Sequence, residues 1–274
     1  MARRGAPYSD RVTRLLVALD IDGTLLHFDG TMSDAVRDAV RAVADAGHHV
    51  VIATGRSVIA ATPVAEHIGL ASGYLVCSNG AVTISLDPSA PAGYHLVETV
   101  TFDPGPVLGK LRDAWPDATV AVEVLGEGFL LSAPFPEGEL NGVQKVVSWE
   151  ELAQQPTTRL TFRSSSGTAE DFLELAERLG LHEVNYAVGF SAWLDINPEG
   201  VSKASALEQV RRFLGIEPCD TVAVGDHRND LEMLEWAARG VAMGQAPDEV
   251  KAVADEVTGT IEQDGAATVL RSLL

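Results

Sequence analysis

Cysteine is scarce: the 274 residues include two, Cys77 and Cys219. Two are too few for a disulfide framework, and no CxxC pair is present. The simplest expectation is a reduced, cytoplasmic protein. Positive charge is also short. Twenty Lys and Arg face 39 Asp and Glu, for a net charge of −19. That balance argues against general nucleic-acid affinity, because phosphate backbones are held by Lys and Arg. It favours solubility, and it requires a local positive site for any anionic ligand. No apolar run approaches the ~18–20 residues of a membrane span. The basic start, MARRGAPYSDRVTR, is not followed by an apolar h-region, so no signal peptide is expected. Internal repeats and long low-complexity tracts are missing. The nearest is DPSAPAG, 87–93, which reads as a loop or hinge.

What is present is enough apolar material for a sizeable core, 46% of the chain. Leu15–Leu19 is a continuous apolar run, as in a strand buried on both faces of a parallel sheet. Ser33-Asp34 signals a helix start, Val36, Ala39, Val40, Val43 and Ala44 follow at helical spacing, and Gly47 closes the segment. His49–Ala53 and Tyr74–Cys77 read as further strands, with a helix over Ser57–Ile68 between them. This β-α-β-α-β rhythm is that of a doubly wound parallel α/β sheet. From 87 to 194 the segments become shorter and richer in strands (HLVETVTF, TVAVEVL, GFLLSA, RLTFRS, SAWLDI), with a helix predicted over Thr168–Leu179. The expected organisation is a core made of residues 1–86 and 195–274, with an inserted α/β unit at 87–194. The core rhythm resumes with a helix over Ser202–Leu214, a strand over Thr221–Val224, a helix after Pro247 and a last one at 266–273.

In such sheets ligands sit beyond the carboxyl ends of the strands. The first strand delivers Asp20 and Asp22, the second Thr54, the third Ser78 and Asn79, and a later one Asp226, with Asn229 and Asp230 one turn on. Lys203 opens a helix after the Gly200 turn. Four carboxylates collected in one crevice need a cation, and oxygen donors with room for water suit Mg²⁺ better than zinc. One of Asp20 and Asp22 can serve as a nucleophile and the other as a general acid and base, while Thr54 and Lys203 can hold phosphoryl oxygens.

LDIDGT at 19–24, ATGR at 53–56, SNGA at 78–81, NPEGVSKASAL at 197–207 and VGDHRNDLEML at 224–234 resemble the haloacid dehalogenase superfamily, in particular its Cof-like branch of Mg²⁺-dependent phosphatases. The resemblance covers roughly 13–86 and 195–270. It implies Asp20 as nucleophile, forming an aspartyl-phosphate, and Asp22 as general acid and base. It implies Thr54 and Lys203 as phosphate holders, with Gly23 and Gly55 letting the backbone approach the phosphate. Mg²⁺ would be bound by Asp20, the backbone carbonyl of Asp22, and Asp226. Asp230 would support that metal site, and Asn229 would contact the phosphate or a metal-bound water. The inserted unit would be the family's cap. The stretch Glu262-Gln263-Asp264-Gly265-Ala266-Ala267 departs mildly from the family's usual Glu-Asp-Gly-Val-Ala-like pattern.

Weaker features keep two readings. Arg56 either starts a helix or binds the leaving group. Asn79 is either a turn residue or part of the site. Asp230 either caps a helix or supports the metal. His27 and His227 read as solvated loop residues, Cys77 as a small core residue, and Trp193 and Ser191 as packing. Glu123, Arg163 and Trp193 are candidate specificity residues in the inserted unit. The expected function is hydrolysis of a small phosphate ester, such as a sugar phosphate or phosphorylated cofactor. The alternatives are a phosphomutase-like phosphotransferase and a non-hydrolytic phospho-acceptor module.

Overall fold

The computed structural model describes residues 14–163, 184–188 and 193–274. The helix expected over Thr168–Leu179 lies outside the described residues, as does Ser191. Among the described residues, two sheets form. The larger has the order β14-β13-β12-β1-β2-β3-β4-β5 and the smaller β10-β11-β9-β6-β7-β8.

The larger sheet begins with β1 (Leu16–Leu19), every residue of which is buried. On one side β1 pairs in parallel with β2 (His49–Ala53), which pairs in parallel with β3 (Gly73–Cys77). On the other side it pairs in parallel with β12 (Thr221–Gly225), followed by β13 (Arg239–Ala242) and β14 (Glu256–Val257). The apolar side chains of these strands split between two clusters, one on each face. Val17, Leu19, Ile52 and Val224 pack with α1 (Asp34–Asp45), α2 (Val58–Ile68) and α8 (Gly265–Arg271). Leu16, Ala18, Val51 and Ala223 pack with α5 (Lys203–Leu214) and α6 (Leu231–Trp236). Burial on both faces explains why these strands read as unbroken apolar runs.

Helix α1 starts where expected because the Ser33 Oγ accepts the Val36 amide at 3.1 Å, satisfying a donor the helix cannot. The same hydroxyl donates to Asp264 Oδ1 at 2.6 Å, tying the helix start to the entry of α8. We expect Ser33→Ala to lower unfolding free energy by about 1 kcal/mol, a typical loss for an N-cap, measured by urea denaturation. Free Cys77 is buried at the end of β3 and free Cys219 is exposed. Burial pushes the Cys77 thiol pKa up, in keeping with an inert core residue.

One strand sits differently from the sequence reading. HLVETVTF, expected in the inserted unit, instead supplies β5 (Tyr94–Thr99), which lies antiparallel on β4 (Val82–Leu86) and extends the larger sheet. The loop 87–93 turns tightly, with the Asp87 amide bonded to the Gly93 carbonyl at 2.9 Å, and so returns the chain along the same sheet edge. The smaller sheet contains β6 (Thr119–Val124), β7 (Gly128–Leu131), β8 (Val143–Val146), β9 (Leu160–Arg163), β10 (Val184–Val188) and β11 (Trp193–Pro198). Helices α3 (Gly105–Ala114) and α4 (Trp149–Leu152) cover it, with Leu108, Leu111 and Leu152 packed on Val120, Phe162 and Ile196. Helix α7 (Asp248–Val253) packs beside α6 through Val250.

Candidate active site

Parallel β1, β2, β3 and β12 end on the same edge of the sheet, so the residues following them meet there. Asp20 follows β1, Thr54 follows β2, Ser78 follows β3 and Asp226 follows β12. All four are buried. The Lys203 ammonium, fully buried at the first turn of α5, lies 2.6 Å from Asp20 Oδ1 and 2.7 Å from Asp230 Oδ1. Burial works against its charge, but Asp20 and Asp230 outweigh that and hold its pKa above the ordinary lysine value. Asp230 also accepts the backbone amides of Asp226 and His227 on Oδ2, at 2.9 and 3.0 Å. Both its oxygens are therefore engaged in shaping the loop and seating the lysine.

Asp20, Asp226 and Asp230 place carboxylate oxygens within 4.8 Å of one another. One ammonium does not balance three acids. Burial, with Lys203 pulling the other way, leaves the Asp20 carboxyl well above the ordinary range. Burial, with Asp230 beside it, pushes Asp226 up to about 7. Asp226 Oδ1 is buried without a hydrogen-bond partner among the described residues, and Oδ2 takes only a 3.3 Å contact from Gln245 Nε2. A buried, unsatisfied carboxylate oxygen beside other hard oxygens is the donor set of a divalent cation. Gly23 makes the approach possible: its φ is +78°, and a Cβ there would lie 2.1 Å from Asp226 Oδ2.

These raised pKa values set a stability slope. A carboxyl whose folded pKa is raised favours the fold below its unfolded value and loses that contribution as pH climbs through the folded one. We therefore expect the metal-free protein to melt at progressively lower temperature between about pH 5 and about pH 8. A divalent cation that binds the cluster should flatten or reverse the trend, since a ligand of the folded state stabilises it. Differential scanning calorimetry at several pH values checks both.

The Asp22 carboxylate is turned away from this cluster. Half exposed, it is held two-pronged by Arg56, with Nε–Oδ2 at 2.9 Å and Nη2–Oδ1 at 2.5 Å. Arg56 lies before α2, which begins at Val58, and fixes Asp22. The Thr54 Oγ1 accepts the Arg56 amide at 3.1 Å, which leaves its proton to donate. Asn79 is buried, and a chain of amides runs through it. Asn229 Nδ2 donates to Asn79 Oδ1 at 3.0 Å, and Asn79 Nδ2 donates to Asn197 Oδ1 at 3.2 Å. Ser78 and Asn79 both have left-handed backbones, φ 48° and 52°, uncommon outside glycine. Cross-links hold them there: Ser78 Oγ donates to Glu123 Oε2 at 2.8 Å, and Asn197 Nδ2 donates to the Ser78 carbonyl at 2.8 Å. Glu123, on β6, is thus tied to the larger sheet's edge.

A cavity of about 500 Å³ opens over Asp20 and Asp22. Gly55, Arg56 and Asn229 line it from the larger sheet's side, and Phe129, Leu140, Asn141 and Arg159 from the inserted segment. His227, expected in solvent, is half-buried in its wall, because Asp230 draws its backbone inward. Burial lowers its pKa. His27 is half-buried in a turn closed by Thr31 and lines no part of this cavity. Arg163 pairs with Glu139 at 2.8 Å. Gln245, Arg159 and Asp195 also meet the residues around the site, and no spacing in the chain marks them, because each acts across a long sequence separation.

The haloacid dehalogenase-like hydrolase family model matches residues 17–92 and 136–270. The chain is 29% identical to the 5-amino-6-(5-phospho-D-ribitylamino)uracil phosphatase YcsE of Bacillus subtilis, over 93% of this chain and 94% of that protein. It is 28% identical to an HMP-PP phosphatase of Yersinia pseudotuberculosis, over 94% and 95%. Among solved structures, the HAD subclass IIB sugar phosphatase BT4131 superposes with a TM-score of 0.80 at 23% identity, over 96% of this chain and 100% of that one. No helix among the described residues is long and apolar enough to cross a membrane.

Proposed function

The chain belongs to the haloacid dehalogenase-like hydrolase family, and we propose that it is a Mg²⁺-dependent phosphatase of small phosphorylated metabolites that works through an aspartyl-phosphate. The observation that carries this reading is the buried cluster of Asp20, Asp226 and Asp230 around Lys203, with Asp226 Oδ1 unsatisfied. YcsE and the HMP-PP phosphatase, matched along nearly their whole length, are named for phosphate removal from small molecules.

Asp20 attacks phosphorus with a carboxylate oxygen, and the ester bond to the leaving group breaks. Asp22 gives that departing oxygen its proton. Asp22 then takes a proton from a water, whose oxygen attacks the phosphorus of the aspartyl-phosphate; phosphate leaves and Asp20 is restored. Lys203 and the Thr54 hydroxyl hold phosphoryl oxygens and stabilise the charge that gathers in transit. Arg56 orients Asp22, and the Asn197-Asn79-Asn229 chain sets the floor of the site. Asp20, Asp226 and the Asp22 carbonyl would hold Mg²⁺, which when bound neutralises phosphoryl charge. The unit built on β6 to β11, which ends at Pro198 rather than at 194 and leaves β5 to the larger sheet, acts as a cap on the core formed by that larger sheet, roofing the cavity and excluding bulk water and large substrates.

Phosphate release from p-nitrophenyl phosphate tests the reading. Turnover is expected to stop with EDTA and return with added Mg²⁺; undiminished turnover in demetallated buffer would end it. Asp22→Asn separates the two half-reactions. The p-nitrophenolate group leaves without a proton, so a one-equivalent burst should survive in a stopped-flow trace. The steady-state rate should fall by about 10²–10⁴, the usual contribution of general acid–base help.

A further inference from the structure

Resting on the phosphatase reading, we propose that Asn79 and Asn197 are positioning residues: with Asn229 they form an amide relay that carries the seating of the smaller sheet into the site and fixes Asn229 with an N–H for the phosphoryl group.

The direction of the relay follows from what each end can do. Asn197, on β11 of the smaller sheet, is 2% exposed. Its Nδ2 donates to the Ser78 carbonyl at 2.8 Å and to the Thr158 carbonyl at 3.3 Å. Carbonyls only accept, so both amide hydrogens are spent there and Oδ1 is the atom that meets Asn79. Asn79 Nδ2 donates to it at 3.2 Å, which leaves Asn79 Oδ1 to accept from Asn229 Nδ2 at 3.0 Å. Turning Asn229 over would set oxygen against oxygen. Asn229 lines the cavity over Asp20, whereas Asn79 and Asn197 stand behind it. Two backbone carbonyls outside the cavity thus decide how an amide in its wall is turned. Asn229 Nδ2 keeps one hydrogen beyond its bond to Asn79, and ionised phosphoryl oxygens only accept, so a donor is what that wall needs.

The middle residue is clamped in a strained turn. Ser78, Asn79 and Gly80 have φ of 48°, 52° and 105°, left-handed one after another. The Ser78 amide donates to the Arg56 carbonyl at 2.8 Å and the Asn79 amide to the Thr54 carbonyl at 3.0 Å. A Cβ on Gly80 would lie 2.2 Å from the Ser202 carbonyl oxygen, so the turn also abuts the start of the helix that carries Lys203. A Cβ on Gly55 would lie 3.1 Å from Asn79 Oδ1 and 3.6 Å from Asn229 Nδ2, which places the Asn79–Asn229 bond against the backbone between Thr54 and Arg56. Turning the chain needs only a glycine, which takes a left-handed φ without strain. The side-chain amide is what asparagine adds.

A double-mutant cycle on kcat/KM for p-nitrophenyl phosphate tests the relay. Asn229→Ala should lower kcat/KM by about ten- to a hundredfold, the worth of a hydrogen bond to a charged group. Asn79→Gly cuts the relay, yet glycine keeps the turn and the amide that reaches Thr54; kcat/KM should fall by about fivefold or more, because Asn229 is then free to turn over. In the Asn229→Ala background, Asn79→Gly should change kcat/KM by less than about twofold, since its effect runs through Asn229. A merely structural role gives losses that multiply. Asn197→Ala should show the same dependence on Asn229; should that variant fail to fold, as a thermal melt would show, Asn79→Gly decides alone. Losses that multiply, or kcat/KM within about twofold of wild type in Asn79→Gly or in Asn229→Ala, overturn the relay and leave the phosphatase reading standing. No turnover of p-nitrophenyl phosphate by the wild type overturns the phosphatase reading, and the relay with it.

Discussion

Asp20→Asn should abolish turnover without harming the fold. We expect kcat to drop by at least ~10⁴-fold, the scale seen when a covalent nucleophile is removed. The side chain keeps its shape and an oxygen that can still accept from Lys203. Its charge is the part that burial disfavours, as the raised Asp20 pKa shows. The variant should therefore melt at the same temperature as wild type or higher in metal-free buffer, a gain in stability at the site where function needs strain. Two measurements check this. Intact mass after mixing with substrate should show no phosphoryl adduct, and calorimetry should show an equal or higher melting temperature. Residual activity within tenfold of wild type would remove Asp20 as nucleophile.

Lys203→Met should do the opposite to stability while also stopping catalysis. The lysine is fully buried, and its partners Asp20 and Asp230 are buried with it. Removing one partner of such a cluster leaves uncompensated buried charge, a loss of about 3–5 kcal/mol. The loss has a pH signature. Without the ammonium, nothing pulls the Asp20 pKa down, so its folded value rises further above the unfolded one. A raised carboxyl helps the fold at low pH and ceases to as pH rises through its folded pKa. The gap in melting temperature between wild type and Lys203→Met should thus widen between about pH 5 and about pH 8. Adding Asp230→Asn should recover part of the stability and none of the activity, which is expected to fall by about 10³-fold with the loss of a transition-state cation. Equal melting temperatures at neutral pH would contradict the ion-pair cluster.

Much of this site could be read along the chain. Asp20, Thr54, Asn79 and Asp226 are legible because a parallel sheet brings successive strand ends to one edge, and each strand shows itself as an apolar run; Lys203 is legible from the helix start after the Gly200 turn. Where β5 belongs could not be read: an alternating strand after a proline-rich loop can fold back on its neighbour or enter another sheet, and only the Asp87–Gly93 turn decides. Nor could the orientation of Asp22, which sequence places beside Asp20 and the fold turns toward Arg56. Gln245 reaches the Gly23 carbonyl across 222 positions, and Arg159 reaches Gly55 across 104. Nothing in local spacing records such meetings.

The amino-acid order alone thus determined the strand-and-helix rhythm, the shared edge and the identities of the acids and lysine gathered there, because apolar periodicity is a local property and parallel strands joined by helices bring their carboxyl ends to one edge. The tertiary structure alone decided which carboxylate oxygen faces Lys203, which is left unsatisfied at Asp226, and which inserted side chains roof the cavity. Those outcomes depend on close packing between segments far apart in the chain, where a shift of about 1 Å exchanges one hydrogen-bond partner for another.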